Sequence, residues 1–329
     1  MAENRNGHKK AASQKNGQKP AQKPAQKNVH KNGQGEKRES NRARHSSAVG
    51  TLFVIGGRED KQEMKVILRN LAERIGSGKL VVSTLASEYG AEVWEVYRQL
   101  FASLGVKHIK HLGMDDREES VKDHRLDVLA GATALFFTGG DQLKITTRLG
   151  GTALSDRIVE IYRQGGIIAG TSAGATALGE VMLVGSLGER MDKVGSAFQM
   201  IPGLGLARDL IIDQHFSERG RIRRLLGAVA QNPRMVGVGI DEDTAIVIEK
   251  DKQFQTLGSG AVYVVDGHDL SHTNISEHAL GRAMSIFDVK LHVLSAGDGY
   301  DLKSRQPLHL QVEGAKTKIE RQISIEKAA

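Results

Sequence analysis

From residue 51 onward, short apolar runs rich in β-branched residues alternate with longer amphipathic stretches. The runs 51–55, 80–82, 106–109, 134–137, 167–169, 210–212 and 235–240 read as buried strands, because each is short and apolar and ends in glycine or polar residues. Between them, 61–75, 91–104, 118–130, 155–164 and 218–230 place apolar residues at helical spacing. Strand and helix alternating in this way predict right-handed βαβ units and an α/β fold, a doubly wound, mostly parallel sheet. After Asp241 the texture changes to closely spaced β segments at 244–249, 253–257, 261–265 and 285–294. They predict a β-rich C-terminal extension, either hairpins on the sheet edge or a small antiparallel layer.

Residues 1–46 follow neither pattern. They hold almost no large apolar side chain and repeat a short unit, Gln18-Lys19-Pro20, Gln22-Lys23-Pro24, Gln26-Lys27. Such a segment cannot bury enough surface to offset its ordering entropy, so a disordered basic tail is expected. In it 8 Lys and 4 Arg outnumber 3 Glu, so the tail carries +9 and the rest of the +7 chain about −2. The high isoelectric point belongs to the tail. Contact with a polyanion such as nucleic acid is conceivable there, but the tail lacks aromatic residues to stack on bases, and a solubilising role is favoured. The expected organisation is the tail at 1–46, one catalytic domain at 47–310 whose β-rich part starts near 241, and a polar end at 311–329.

The 329 residues, 39% of them hydrophobic, suffice for a large core. None is cysteine, which removes disulfides, cysteine-rich zinc sites and a cysteine nucleophile. No apolar run reaches membrane-spanning length, and Lys, Gln and Asn stand where a signal peptide would be apolar, so the expected location is the cytoplasm, away from membranes.

In an open parallel sheet, ligands bind beyond the carboxyl ends of the strands. Five such positions carry glycine and polar residues: 56–60, 83–88, 138–142, 170–174 and 213–215. At the fourth, a buried strand runs through Gly170-Thr171-Ser172-Ala173-Gly174, a G-x-S-x-G pattern whose small neighbours let the backbone turn sharply and present the serine oxygen at a helix start. Ser172 is the candidate nucleophile. It needs a histidine to take its proton. Of 12 histidines, three lie in the tail and five in the late β-rich region. Among His108, His111, His124 and His215, the last follows an apolar strand directly and is the best general base. The acid that orients it is expected at Glu189, between serine and histidine in chain order, with Glu180, Asp192 and Asp213 as competitors. The backbone N–H of Ala173 and one from Gly139 or Gly140 would form the oxyanion hole. Arg219, Arg221, Arg223 and Arg224 follow the histidine; some of them should reach the site and hold substrate carboxylates.

Taken together, four blocks resemble the serine peptidase family that contains cyanophycinase and the aspartyl dipeptidase peptidase E. They are Val54-Ile55-Gly56-Gly57-Arg58-Glu59-Asp60-Lys61, Thr138-Gly139-Gly140-Asp141-Gln142, Ala169 through Ala175, and Asp213-Gln214-His215-Phe216-Ser217-Glu218-Arg219-Gly220-Arg221 continuing to Arg224-Leu225. The resemblance implies a glutamine-amidotransferase-like, flavodoxin-like α/β fold, usually dimeric, with a Ser-His-Glu triad and neither metal nor cofactor. It implies hydrolysis of cyanophycin, a polyaspartate with arginine on its side chains, to β-aspartyl-arginine. By position, Gln142, Asp213, Gln214, Arg219, Arg221 and Arg224 match residues associated with the substrate pocket. The rival readings are a peptidase E-like dipeptidase and a non-catalytic binding protein that works through the tail.

Overall fold

The computed structural model describes residues 49–121, 123–185, 198–250, 253–277 and 282–309, without the side chains of 120, 121, 123, 124 and 198. The basic tail, the C-terminal end and Glu189 lie outside this set. Five parallel strands, β1 (Thr51–Ile55), β2 (Lys79–Ser83), β3 (His108–Leu112), β4 (Ala132–Phe137) and β5 (Ile167–Thr171), form the middle and one flank of the main sheet in the order β1-β5-β4-β2-β3. On the other flank β10 (Thr244–Glu249) and β11 (Gln253–Gly258) add antiparallel, followed by β16 (Asp298–Asp301) and β17 (Gln306–His309), making nine strands. Of the late β segments, 244–249 and 253–257 thus extend the sheet edge as a hairpin, whereas those at 261–265 and 285–294 contribute strands to a second sheet.

A second sheet of six strands takes up the later parallel strands. β6 (Gly179–Gly185), β8 (Ala207–Gln214) and β9 (Val236–Ile240) run parallel in it, bordered by β7 (Phe198–Pro202) on one side and by β12 (Val262–Asp266) and β15 (Lys290–Leu294) on the other. A two-strand pair, β13 (His272–Thr273) and β14 (Ile286–Phe287), completes the strands. The pattern therefore reads the parallel α/β character correctly, while the parallel strands are shared between two sheets. Periodicity reports that a strand is buried, not which neighbour it pairs with.

Helices α1 (Val66–Ile75), α2 (Gly90–Ser103), α3 (Asp123–Leu129), α4 (Gln142–Leu149), α5 (Ala153–Arg163), α6 (Ala173–Ala177) and α7 (Ile222–Gln231) form the connections. Their amphipathic spacing decides their packing. α1 buries Ile67, Leu68, Leu71 and Ile75 at i, i+1, i+4 and i+8, one face laid on Phe53, Ile55, Leu80 and Val82 of the main sheet. α7 buries Leu225, Ala228 and Val229 against Ile211 and Val265 of the second sheet. Each such Leu, Ile or Val side chain contributes roughly 1.5–3 kcal/mol. Helix 61–75 begins only at Val66, because Asp60 caps a turn first: its carboxylate accepts from the N–H groups of Gln62, Glu63 and Lys65 at 2.8, 2.9 and 2.7 Å. Those three bonds hold the Asp60 carboxyl down at about 2. Among the described residues, no helix is long and apolar enough to cross a membrane.

Candidate active site

The site lies where β1 and β5 of the main sheet meet the ends of β8 and β9 of the second. The G-x-S-x-G segment forms a strand-to-helix elbow: β5 ends at Thr171, Ser172 caps α6, and the serine sits at φ 54°, ψ −115°. For a residue with a side chain that backbone is strained by roughly 1–3 kcal/mol. The two glycines are steric requirements. A Cβ on Gly170 would lie 2.4 Å from the Gly174 carbonyl oxygen, and one on Gly174 would lie 2.4 Å from that of Phe137. Ser172 N–H donates to the Ile55 carbonyl at 3.0 Å, tying the elbow to β1.

His215 directly follows β8, as the sequence indicates, and its N–H donates to the Gly56 carbonyl at 2.9 Å. Its Nε2 is 2.9 Å from Ser172 Oγ. On the other side of the ring, Nδ1 is 2.7 Å from Oε1 of Glu242. An ionised carboxylate only accepts, so Nδ1 carries the proton and donates it to Glu242, which leaves Nε2 free to accept from the serine hydroxyl. Burial pushes the imidazole below its ordinary range, Arg219 and Arg221 act in the same sense, and Glu242 opposes them. A neutral ring at physiological pH is the form a general base requires.

Glu242 is the residue that sequence reasoning missed. It stands in Asp241-Glu242-Asp243, directly after β9, and so meets the same rule that singled out the other five strand ends. Chain order drew attention to Glu189 instead, which lies outside the described residues. Glu242 is itself held by its neighbours. Arg58 Nη1 stands 3.3 Å from its Oε2, and the Glu242 N–H donates to Glu218 Oε1 at 3.1 Å. Of the earlier competitors, Asp213 faces its arginine partners and Glu180 bonds Arg234 and the Asp209 N–H.

The Gly139-Gly140 pair lies beside the nucleophile. A Cβ on Gly139 would lie 3.4 Å from Ser172 Cβ, and Gly140, at φ +141°, packs on the Ala86 carbonyl. Ala173 opens α6, so its N–H has no acceptor within the helix. Next along, Asp141 caps α4 by accepting from Leu143 N–H at 2.8 Å, and Gln142 Nε2 donates to the Leu183 carbonyl at 3.3 Å.

The arginines divide into two groups. Asp213 is fully buried, and Arg224, also buried, donates to both of its oxygens through Nε (2.8 Å) and Nη2. Arg221 caps α7 and donates to Asp213 Oδ1 at 3.2 Å and to the Gln214 carbonyl and Oε1, the latter at 3.0 Å. Arg219 is exposed in the turn ahead of the helix. Spacing on a continuous helix over 218–230 would have put 221 and 224 on a common face; they do converge, but on Asp213, with α7 starting at Ile222. Of the remaining candidate histidines, His111 bonds Thr84 Oγ1 at 2.8 Å and stacks on Trp94, while His108 is exposed.

An α/β sheet edge with a serine on a strained elbow, bonded to a histidine that is itself bonded to a carboxylate, has the architecture of a serine-type hydrolase. Comparison with known proteins narrows the class: the model of peptidase family S51 matches residues 52–256. The cyanophycinase of Synechococcus elongatus is 35% identical over 268 residues, covering 80% of this chain and 83% of that protein. That of Trichormus variabilis is 37% identical over 261 residues, covering 78% and 87%. Among solved structures, a peptidase from an acI-B1 Actinobacterium aligns with a TM-score of 0.57 at 22% identity, covering 78% of this chain and 98% of that one, a likeness of fold. The chain belongs to peptidase family S51, the serine peptidase family its sequence resembles, and is a serine-type peptidase.

Proposed function

We propose that the protein is a cyanophycinase, which hydrolyses cyanophycin to β-aspartyl-arginine dipeptides through Ser172, His215 and Glu242. The continuous hydrogen-bonded line from Ser172 Oγ through the imidazole to Glu242 carries the mechanism, and the cyanophycinases at 35–37% identity carry the substrate. Ser172 Oγ attacks a backbone carbonyl of the polyaspartate while its proton passes to His215 Nε2. The imidazolium so formed faces Glu242, whose charge stabilises it. The backbone N–H of Ala173 and one from Gly139 or Gly140 supply the donors to the oxyanion. His215 then protonates the leaving amine, and water, deprotonated by the same nitrogen, releases the acyl group from the serine.

Substrate recognition follows from the exposed positive charges at the site. In the polymer each arginine carries a free carboxylate; Arg219 is an exposed guanidinium near His215, and Arg58, paired with Glu242 through Nη1, is also largely exposed. Arg221 and Arg224 shape the pocket by holding Asp213 and Gln214 in place, and Gln142 joins the oxyanion loop to β6. The enzyme is proposed to work as a homodimer, in keeping with the family resemblance. The test is a substrate panel of insoluble cyanophycin and Asp-Xaa dipeptides, with products identified by mass. β-Aspartyl-arginine from cyanophycin is expected, and release of aspartate from the dipeptides with cyanophycin untouched would select the peptidase E-like activity instead.

A further inference from the structure

The segment from Ile55, at the end of β1, through Gly56-Gly57-Arg58-Glu59-Asp60-Lys61 touches all three members of the site, although Glu59 takes no part in the proposed reaction. Ile55 and Gly56 carbonyls accept from the N–H groups of Ser172 and His215 at 3.0 and 2.9 Å. Gly57 lies flat on the imidazole: a Cβ there would be 2.3 Å from His215 Cε1. Its carbonyl accepts from Asp243 N–H at 2.9 Å, next to Glu242, and Arg58 reaches Glu242 itself. Asp60 N–H donates to Asp243 Oδ1 at 2.8 Å. The spacing of nucleophile, base and acid is therefore set by the position of this one loop.

In the middle of the loop is Glu59, a carboxylate with only 1% of its side chain exposed. Burying such a charge is costly unless every lone pair finds a donor. Glu59 has three: the Tyr97 hydroxyl donates to Oε1, Lys61 Nζ lies 2.8 Å from the same oxygen, and the Thr171 hydroxyl donates to Oε2 at 2.5 Å. Thr171 is the last residue of β5 and immediately precedes the strained Ser172. Tyr97, on α2, is fixed by Phe101 and Phe136 in the core below. One buried carboxylate thus ties the loop that positions His215 to the strand end that positions Ser172, and anchors both to α2.

We infer that Glu59 is a positioning residue for this peptidase, holding the elbow and the histidine loop in register so that Ser172 Oγ stays within hydrogen-bonding distance of Nε2. The inference rests on Ser172 being the nucleophile. The bond that Glu59 makes to the elbow is to Thr171, the residue adjacent to the reacting serine, which is where a positioning role would place it.

The test is the rate at which a serine-directed sulfonyl fluoride labels Ser172, measured beside kcat, KM and thermal midpoint. Glu59→Gln removes the charge; Thr171→Val removes only the bond to the elbow and leaves Glu59 with Tyr97 and Lys61, so it keeps the test open should Glu59→Gln fold poorly. Both are expected to slow labelling and lower kcat by about 10- to 100-fold with little change in KM, the cost of a misplacement of the order of 1 Å. Thr171→Ser, which keeps the hydroxyl, is expected to label at nearly the wild-type rate. Labelling of folded Glu59→Gln or Thr171→Val at the wild-type rate would overturn the inference, as would equal losses in Thr171→Val and Thr171→Ser. If wild-type protein is not labelled at Ser172 at all, it is the nucleophile assignment that fails, and the inference with it.

Discussion

Replacing Glu242 with glutamine keeps the shape of the side chain and removes the charge that faces the imidazolium. At 2.7 Å from Nδ1 the carboxylate is in direct contact with the ring, and 19% of its side chain is exposed. Two unit charges about 4 Å apart at an effective dielectric of 20 attract by about 4 kcal/mol, and partial solvent access lowers this to roughly 2–4 kcal/mol. As a loss of transition-state stabilisation that is about 30- to 1000-fold in kcat. Glutamine can also present its amide N–H₂ to Nδ1, which favours the tautomer that cannot accept the serine proton, so the upper part of the range is expected. The assay is the initial rate of product release by folded protein, with circular dichroism to confirm the fold. A pH profile adds an independent sign. Glu242 opposes the burial that lowers the His215 pKa, so its removal lowers that pKa further and moves the acid limb of kcat/KM to lower pH, even as the plateau falls. With Nδ1 already occupied by Glu242, Glu189→Gln is expected to stay near the wild-type rate. Near-wild-type turnover by Glu242→Gln, with the loss falling on Glu189→Gln, would refute the reasoning.

Gly57→Ala puts a Cβ 2.3 Å from His215 Cε1 at a backbone φ of +107°, so kcat/KM is expected to fall by about 100-fold or more while circular dichroism stays near that of the wild type. Arg219→Ala removes a positive charge that lowers the His215 pKa; the pKa should rise and the acid limb of the pH profile should move to higher pH, opposite in sign to Glu242→Gln. Asp213→Asn leaves the buried Arg224 without its charge partner and is expected to cost about 3–5 kcal/mol of stability in urea unfolding. A variant of wild-type stability with a raised KM would instead assign Asp213 directly to substrate.

Much of this site was legible in the sequence because its signals are local. An apolar strand running into Gly170-Thr171-Ser172-Ala173-Gly174 can scarcely form anything but a sharp strand-to-helix turn, since both glycines are required by backbone packed against them. His215 could be read for the same reason: it ends a strand, and a parallel sheet brings strand ends together. What the chain hides is pairing across long separations. Glu242 lies 27 residues beyond His215 and reaches it because β9 runs beside β8, a parallel register that no local pattern encodes. The division of the parallel strands into two sheets is hidden for the same reason, because buried runs such as Leu52–Ile55 and Leu210–Ile212 look alike whichever sheet receives them. Charge clusters mislead in a different way. Arg221 and Arg224 read as free cations in sequence, but the partner that occupies them, Asp213, is itself buried at the end of β8 and accepts both.

The most direct measurement is incubation of insoluble cyanophycin with the wild-type protein and with Ser172→Ala, following loss of turbidity and identifying the released products by mass. Clearing by the wild type alone, with β-aspartyl-arginine in solution, is the predicted result. Intact polymer in both reactions would contradict the proposed substrate, and clearing by Ser172→Ala at the wild-type rate would contradict the nucleophile.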